Sequence, residues 1–179
     1  MADSKAERER SRVVTGMFRD RESAERAYQS VTNRGYKSDD VNLLMSDDTR
    51  KKHFSSDDND TTDLGNKALE GAGAGAGIGG TIGAILAVVA AAGTLVVPGL
   101  NIVAAGPIVA ALTGAGAGGL AGGLIGGLVG WGIPEERAKA YESGIKEGGI
   151  VMGVNPRNDE DADYFENEWK TNRGEQIYR

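Results

Sequence analysis

Few side chains in this sequence are of the kinds that perform chemistry. One histidine, His53, and no cysteine exclude disulfides, thiolate catalysis, zinc clusters and any triad that needs a second imidazole. His53 stands among Lys51, Lys52 and Phe54 and reads as an exposed histidine. Asp57, Asp58, Asn59, Asp60 and Asp63 offer oxygen ligands. An EF-hand loop also needs glycine at its sixth place and glutamate at its twelfth, which no frame supplies, so the run reads as a solvated linker. Gly75-Ala76-Gly77-Ile78-Gly79-Gly80 meets the G-x-G-x-x-G pattern of nucleotide-binding loops. No strand precedes it, and a long run of small residues makes such a match almost inevitable. Tyr28, Tyr141 and Trp169 fit helices packed onto a sheet, with the lining of a ligand pocket as the alternative. No acid and base are paired. The expectation is a non-enzymatic chain with no catalytic, cofactor-binding or metal site.

Charge narrows the partners. A net charge of -6 and a pI near 4.9 lack the basic footprint that nucleic acid requires. The averages hide two environments: of 28 glycines, 21 lie between Gly65 and Gly132, and no Asp, Glu, Lys, Arg or His occurs in residues 71–134. Such a gap in a chain that is 26% charged marks a segment kept from water.

Within it, residues 71–93 and 107–131 predict two helices of roughly 34 and 37 Å at about 1.5 Å per residue, each enough to cross about 30 Å of hydrocarbon. Thr94 to Gly106, with Pro98-Gly99 and Asn101, reads as the turn between them. The glycine spacing is the most specific signal. Gly71, Gly75, Gly79 and Gly83 repeat every four residues, as do Gly114, Gly118, Gly122, Gly126 and Gly130, with a second ridge at Gly119, Gly123 and Gly127. Positions four apart stack on one helix face, so these glycines form smooth faces for close backbone contact, expected to drive helix packing and homo-oligomerisation. Ile82, Ile85, Leu86, Val89, Leu120, Leu124, Ile125 and Leu128 are expected to meet lipid or neighbouring subunits.

The elements that must position this segment are those of a small α/β domain. Val13–Phe18 reads as a strand, and Asp20 as the N-cap of a helix carrying Ala24, Ala27, Tyr28 and Val31, stopped at Gly35. Val41–Met45 reads as a second strand. Pro134 opens a helix running to about Glu147 and stopped at Gly148. Gly149–Val154 is a strand, Asn158 or Asp159 caps a last helix through Trp169, and Gln176–Tyr178 is a final short strand. Thr32-Asn33-Arg34-Gly35 recurs as Thr171-Asn172-Arg173-Gly174, suggesting two like β-α-β halves. The predicted fold is α+β: a ferredoxin-like, split β-α-β sheet with helices on one face and the hydrophobic hairpin inserted. The expected divisions are a charged leader (1–11), a first half (12–45), an acidic polar linker (46–70), the glycine-zipper hairpin (71–133) and a helix with the second half (134–179).

The two halves meet only if the chain returns to the side it left, which two helices permit. Lys67, Arg137 and Lys139 flank the hairpin and its tip is uncharged, so the positive-inside rule keeps the α/β domain cytoplasmic. The leader has no apolar core and does not read as a secretory signal. Alanine and glycine contribute little transfer free energy. Each span is nonetheless long enough to cross a bilayer, so lipid around the hairpin is the first expectation, and a fully cytoplasmic soluble assembly with the hairpins in a protein core, which that weak transfer free energy favours, is the second.

Val13-Val14-Thr15-Gly16-Met17-Phe18, Ala24-Glu25-Arg26-Ala27, the glycine zipper, Gly132-Ile133-Pro134-Glu135-Glu136-Arg137-Ala138, Tyr141-Glu142 and Gly148-Gly149-Ile150-Val151 together resemble the bacterial general stress and low-temperature-induced proteins with a glycine-zipper hairpin in a small α/β domain. The resemblance covers about residues 12–174 and implies a role in stress tolerance without assigning an activity to any residue. The expected partners are a second copy of the chain and membrane lipid; any small-molecule ligand of the α/β domain stays open, including a membrane-tethered regulatory module that binds one.

Overall fold

A computed structural model describes residues 13–54, 85, 95–97, 101–113 and 119–179. Among the described residues six strands form one sheet: β1 (Val14–Phe18), β2 (Val41–Ser46), β3 (Leu95–Val97), β4 (Ile102–Ala105), β5 (Ile150–Val154) and β6 (Glu175–Tyr178). The spatial order is β3-β4-β2-β5-β1-β6, and every neighbouring pair is antiparallel. The helices are α1 (Arg21–Asn33), α2 (Asp47–Phe54), α3 (Ile108–Thr113), α4 (Gly119–Gly130), α5 (Glu135–Lys146) and α6 (Asp159–Thr171). β1 and β2, joined through α1, flank β5; β5 and β6, joined through α6, flank β1.

The caps form where the sequence places them. Asp20 accepts a hydrogen bond from the Ser23 N–H at the start of α1, and Asn158 accepts one from the Asp161 N–H at the start of α6, each satisfying a helix donor that has no partner along the helix. Gly35 follows α1 at φ 77°, and Arg173 occupies the matching left-handed position after α6. Aligned by their caps, the two helices put the repeated tetrapeptides one residue out of step, so the likeness of the halves lies in the pattern of elements rather than in those four letters.

Both faces of the sheet are covered, in contrast to the one-sided packing expected. Val14, Phe18, Leu43, Met45, Met152 and Val154 point into a core shared with Ala24, Ala27, Val31, Phe165 and Trp169 of α1 and α6. Met17, Leu44, Ile102, Ala104 and Val151 point the other way, against Ile108, Leu112, Leu124, Leu128, Ala138, Tyr141 and Ile145. Strands buried on both sides read as continuous apolar runs rather than alternating ones, as Ile150-Val151-Met152 does.

Three expectations are corrected. The presumed turn at 94–106 contains strands β3 and β4, and β4 pairs with β2 through Leu43↔Ala105 to Ser46↔Ile102, so the middle of the insertion extends the sheet. Within the expected helix over 107–131 the described residues form α3 and α4, and Gly123 at φ 61° and ψ -154° breaks the helical path inside α4. The presumed linker from residue 46 begins with α2, in which Arg50 and Lys51 pair with Asp47 at 2.7 and 2.6 Å. Among the described residues no helix is long and apolar enough to cross a membrane.

Candidate functional site

Six of the twelve glycines singled out for helix packing, Gly71, Gly75, Gly79, Gly83, Gly114 and Gly118, lie outside the described residues, as does the acidic run from Asp57 to Asp63. The other six, Gly119, Gly122, Gly123, Gly126, Gly127 and Gly130, all fall on α4, and they are not equivalent. A Cβ at Gly127 would collide with Leu112 Cδ2, so this position lets α3 and α4 cross within the chain. Gly123 breaks the helix. A Cβ at Gly130 would meet nothing within 4 Å.

Two elements orient α4. The buried Asn42 of β2 accepts a hydrogen bond from the Ile108 N–H at 2.5 Å and donates one to the Gly153 carbonyl at 3.3 Å, fixing the start of α3 to the sheet. Gly106, at φ 91°, backs against Val41, where a Cβ would strike backbone atoms, so the turn from β4 into α3 requires glycine. On the other side of α4, Trp131 lies over Gly153 and the chain turns into α5. Tyr141 of α5 hydrogen-bonds the Thr15 hydroxyl at 2.8 Å and donates to the Gln176 carbonyl at 2.7 Å; burial pushes its pKa up to about 12.

Leu124 and Leu128 are buried in this core, and Ile85 is buried on the opposite face of the sheet. These three therefore do not meet lipid or neighbouring subunits as the spacing predicted. Ile125, half-buried, packs against the same core as Leu124 and Leu128, Gly126 is half-buried, and the outward side of α4 exposes Val129 and Gly130. Val129, at 43% relative exposure, is the exposed large hydrophobic residue among those described. Tyr28, Tyr141 and Trp169 pack helices onto the sheet and are buried.

A concavity of about 490 Å³ opens between α2 and the end of α5. Ser46 and Thr49 form one wall, Ile102 and Ile145 supply apolar lining, and Arg19, Asp48, Lys52, His53, Asn101, Lys146 and Glu147 surround them. Asn101, at φ 52°, holds α2 in place: its carbonyl accepts from the Asp47 N–H at 2.9 Å, and its amide reaches Asp48 at 3.4 Å. Arg19 is clamped by Glu147 at 2.7 Å and Glu175 at 2.9 Å, which raise its pKa. Lys146 pairs with Glu142 at 2.6 Å. Lys52 has no ion pair among the described residues. The His53 pKa is lowered, first by desolvation and then by the nearby charges of Lys52 and Arg21.

This cleft was not legible as a site, because the helix that supplies Asp48, Thr49, Lys52 and His53 reads as linker. The available signal was charge: Asp47 and Asp48 in the first turn and Lys51, Lys52 and His53 in the last suit a helix dipole. Among the described residues no group of three or more histidines and carboxylates could hold a metal ion. Comparison with models of known protein families, with curated proteins and with solved structures returns no match to this chain.

Proposed function

We propose that this chain is a non-enzymatic structural protein that works as a homo-oligomer, its copies joined through the outward face of α4. One contrast carries the reading. The outer sides of α1, α5 and α6 are charged, with Glu22 and Arg26, Glu135 and Lys139, and Glu166 and Lys170 paired four residues apart. α4 has no charge at all: Val129 and Gly130 are exposed, Ile125 and Gly126 are half-buried, and half of the helix's twelve residues are glycine. Each glycine inside a helix costs about 1 kcal/mol relative to alanine. A second copy packed on the bare backbone offsets that cost and removes the apolar side chains from water.

Lipid is the rival partner for the same face. Trp131 at its end is a residue type favoured at bilayer interfaces, and α4, interrupted at Gly123 and no longer than roughly 18 Å, is suited to lying in the interface rather than crossing about 30 Å of hydrocarbon. On this reading β1, β2, β5 and β6 with α1 and α6 are a ferredoxin-like split β-α-β domain, supported by the order β2-β5-β1-β6, and the β3–β4 hairpin is an addition at one edge. The domain stays in the cytoplasm and serves the stress tolerance that the family resemblance implies, as a scaffold.

Sedimentation of the full chain without detergent, beside flotation with phospholipid vesicles, tests the proposal. Self-assembly predicts an oligomer that forms without lipid; a monomer that floats with vesicles would transfer the α4 face to the membrane reading.

A further inference from the structure

We infer that the cleft between α2 and the end of α5 binds a small dissolved oxyanion, of phosphate or carboxylate chemistry, through the Lys52 ammonium, the His53 imidazole and the Ser46–Thr49 hydroxyl pair. Its volume of about 490 Å³ falls within the range of small-molecule sites, roughly 300–1,000 Å³. Ile102 and Ile145 give the remainder of an organic acid an apolar surface.

The hydrogen-bonding groups left over after internal pairing decide the ligand's chemistry, since the charges in the lining left unpaired among the described residues, Lys52 and Asp48, balance. Arg19 and Glu147 neutralise one another, and Lys146 is held by Glu142. On α2, Arg50 and Lys51 are both turned to Asp47, which leaves Lys52 as the basic side chain aimed at the cleft. Asp48 is the one carboxylate in the lining not paired with a cation among the described residues, and it takes the Asn101 amide. Donors exceed acceptors. The hydroxyls of Ser46 and Thr49 bond each other at 2.8 Å, and Ser46 also accepts the Thr49 N–H at 3.0 Å, so the pair keeps one hydroxyl hydrogen for a ligand. Lys52 supplies up to three N–H groups and His53 one or two. A single unpaired carboxylate is a poor cation site, whereas an ammonium in one lining with a hydroxyl and an imidazole gives charge-assisted hydrogen bonds to an oxyanion.

Phosphorus-31 NMR of inorganic phosphate, titrated with the full chain at constant ionic strength, reads binding whatever the size of the particle. The expected result is saturable line broadening, weakened about tenfold in Lys52→Ala, to a smaller degree in His53→Gln, and unchanged in Lys139→Ala, whose ammonium pairs with Glu135 away from the cleft. Circular dichroism of each variant checks that the fold persists. Absence of saturable broadening, equal broadening in wild type and Lys52→Ala, or complete displacement by chloride at matched ionic strength would overturn the assignment.

Discussion

The two faces of the sheet reach close packing by opposite means. Under α1 and α6 the space is filled: Phe18 meets Trp169 edge-on with ring centres 5.7 Å apart, Tyr36 meets Phe165 at 5.1 Å, and Trp169 lies over Gly16. Under α3, α4 and α5 the space is removed. Gly127 admits Leu112, Gly144 admits Met17 and Gly153 admits Trp131, each at a place where a Cβ would collide. A face built from large rings shields itself, and its helices present charge to water. A face built by deleting side chains brings backbones together but leaves the outermost helix with little of its own to bury, and this is where the uncharged surface of α4 appears.

Breaking the filled face has the largest expected effect. Trp169→Ala removes a fully buried ring and its hydrogen bond to the Ala27 carbonyl, and should cost about 3–5 kcal/mol, read as a loss of denaturation midpoint. The opposite operation breaks the other face. Gly153→Ala drives a methyl into the Trp131 ring and towards Thr15 and should cost about 1–3 kcal/mol, with a red shift in Trp131 emission as the ring is displaced to water. Tyr141→Phe keeps the packing volume but deletes the bonds to Thr15 and Gln176, for a loss of about 1–2 kcal/mol by chemical denaturation.

The smallest effect falls where the two layers meet, at the cleft. The folded chain holds the His53 pKa below the ordinary value of about 6.5, so the unfolded chain binds the proton more readily. Stability from this residue is complete above that value, falls as pH drops through it, and levels off below the folded pKa. An NMR titration midpoint below about 6.5, with a shallow stability slope between pH 7 and 5 that vanishes in His53→Gln, checks this.

Most of the filled face was legible in the sequence, because its signals are local. Asp20 and Asn158 cap α1 and α6, Gly35 stands in a left-handed turn, and the apolar spacing of Ala24, Ala27, Tyr28 and Val31 marks the buried side of α1. On the other face α5 was legible between Pro134 and Gly148, but β3, β4, α3 and α4 were misread because an uninterrupted apolar composition hides their periods. Leu95-Val96-Val97 and Ile102-Val103, on either side of Pro98-Gly99 and Asn101, carry a hairpin signal of β-branched runs around turn residues. The length of the charge-free stretch outweighed it in the reading. A four-residue glycine spacing also cannot distinguish a face that meets another chain from one that meets Leu112 of the same chain, since both demand a missing Cβ. The cleft was illegible for a different reason: α2 is held by the Asp47, Arg50 and Lys51 charges and by Phe54 at its end, so it has almost no apolar period to detect.

Sedimentation equilibrium of the wild type and of Val129→Lys, without detergent, tests the central claim most directly. Val129 is exposed, so a lysine there should leave chain stability within about 0.5 kcal/mol. The predicted result is an oligomer for the wild type and a shift towards monomer for the variant. A wild-type monomer, or an oligomer unchanged in mass by the lysine, would contradict self-association through the outward face of α4.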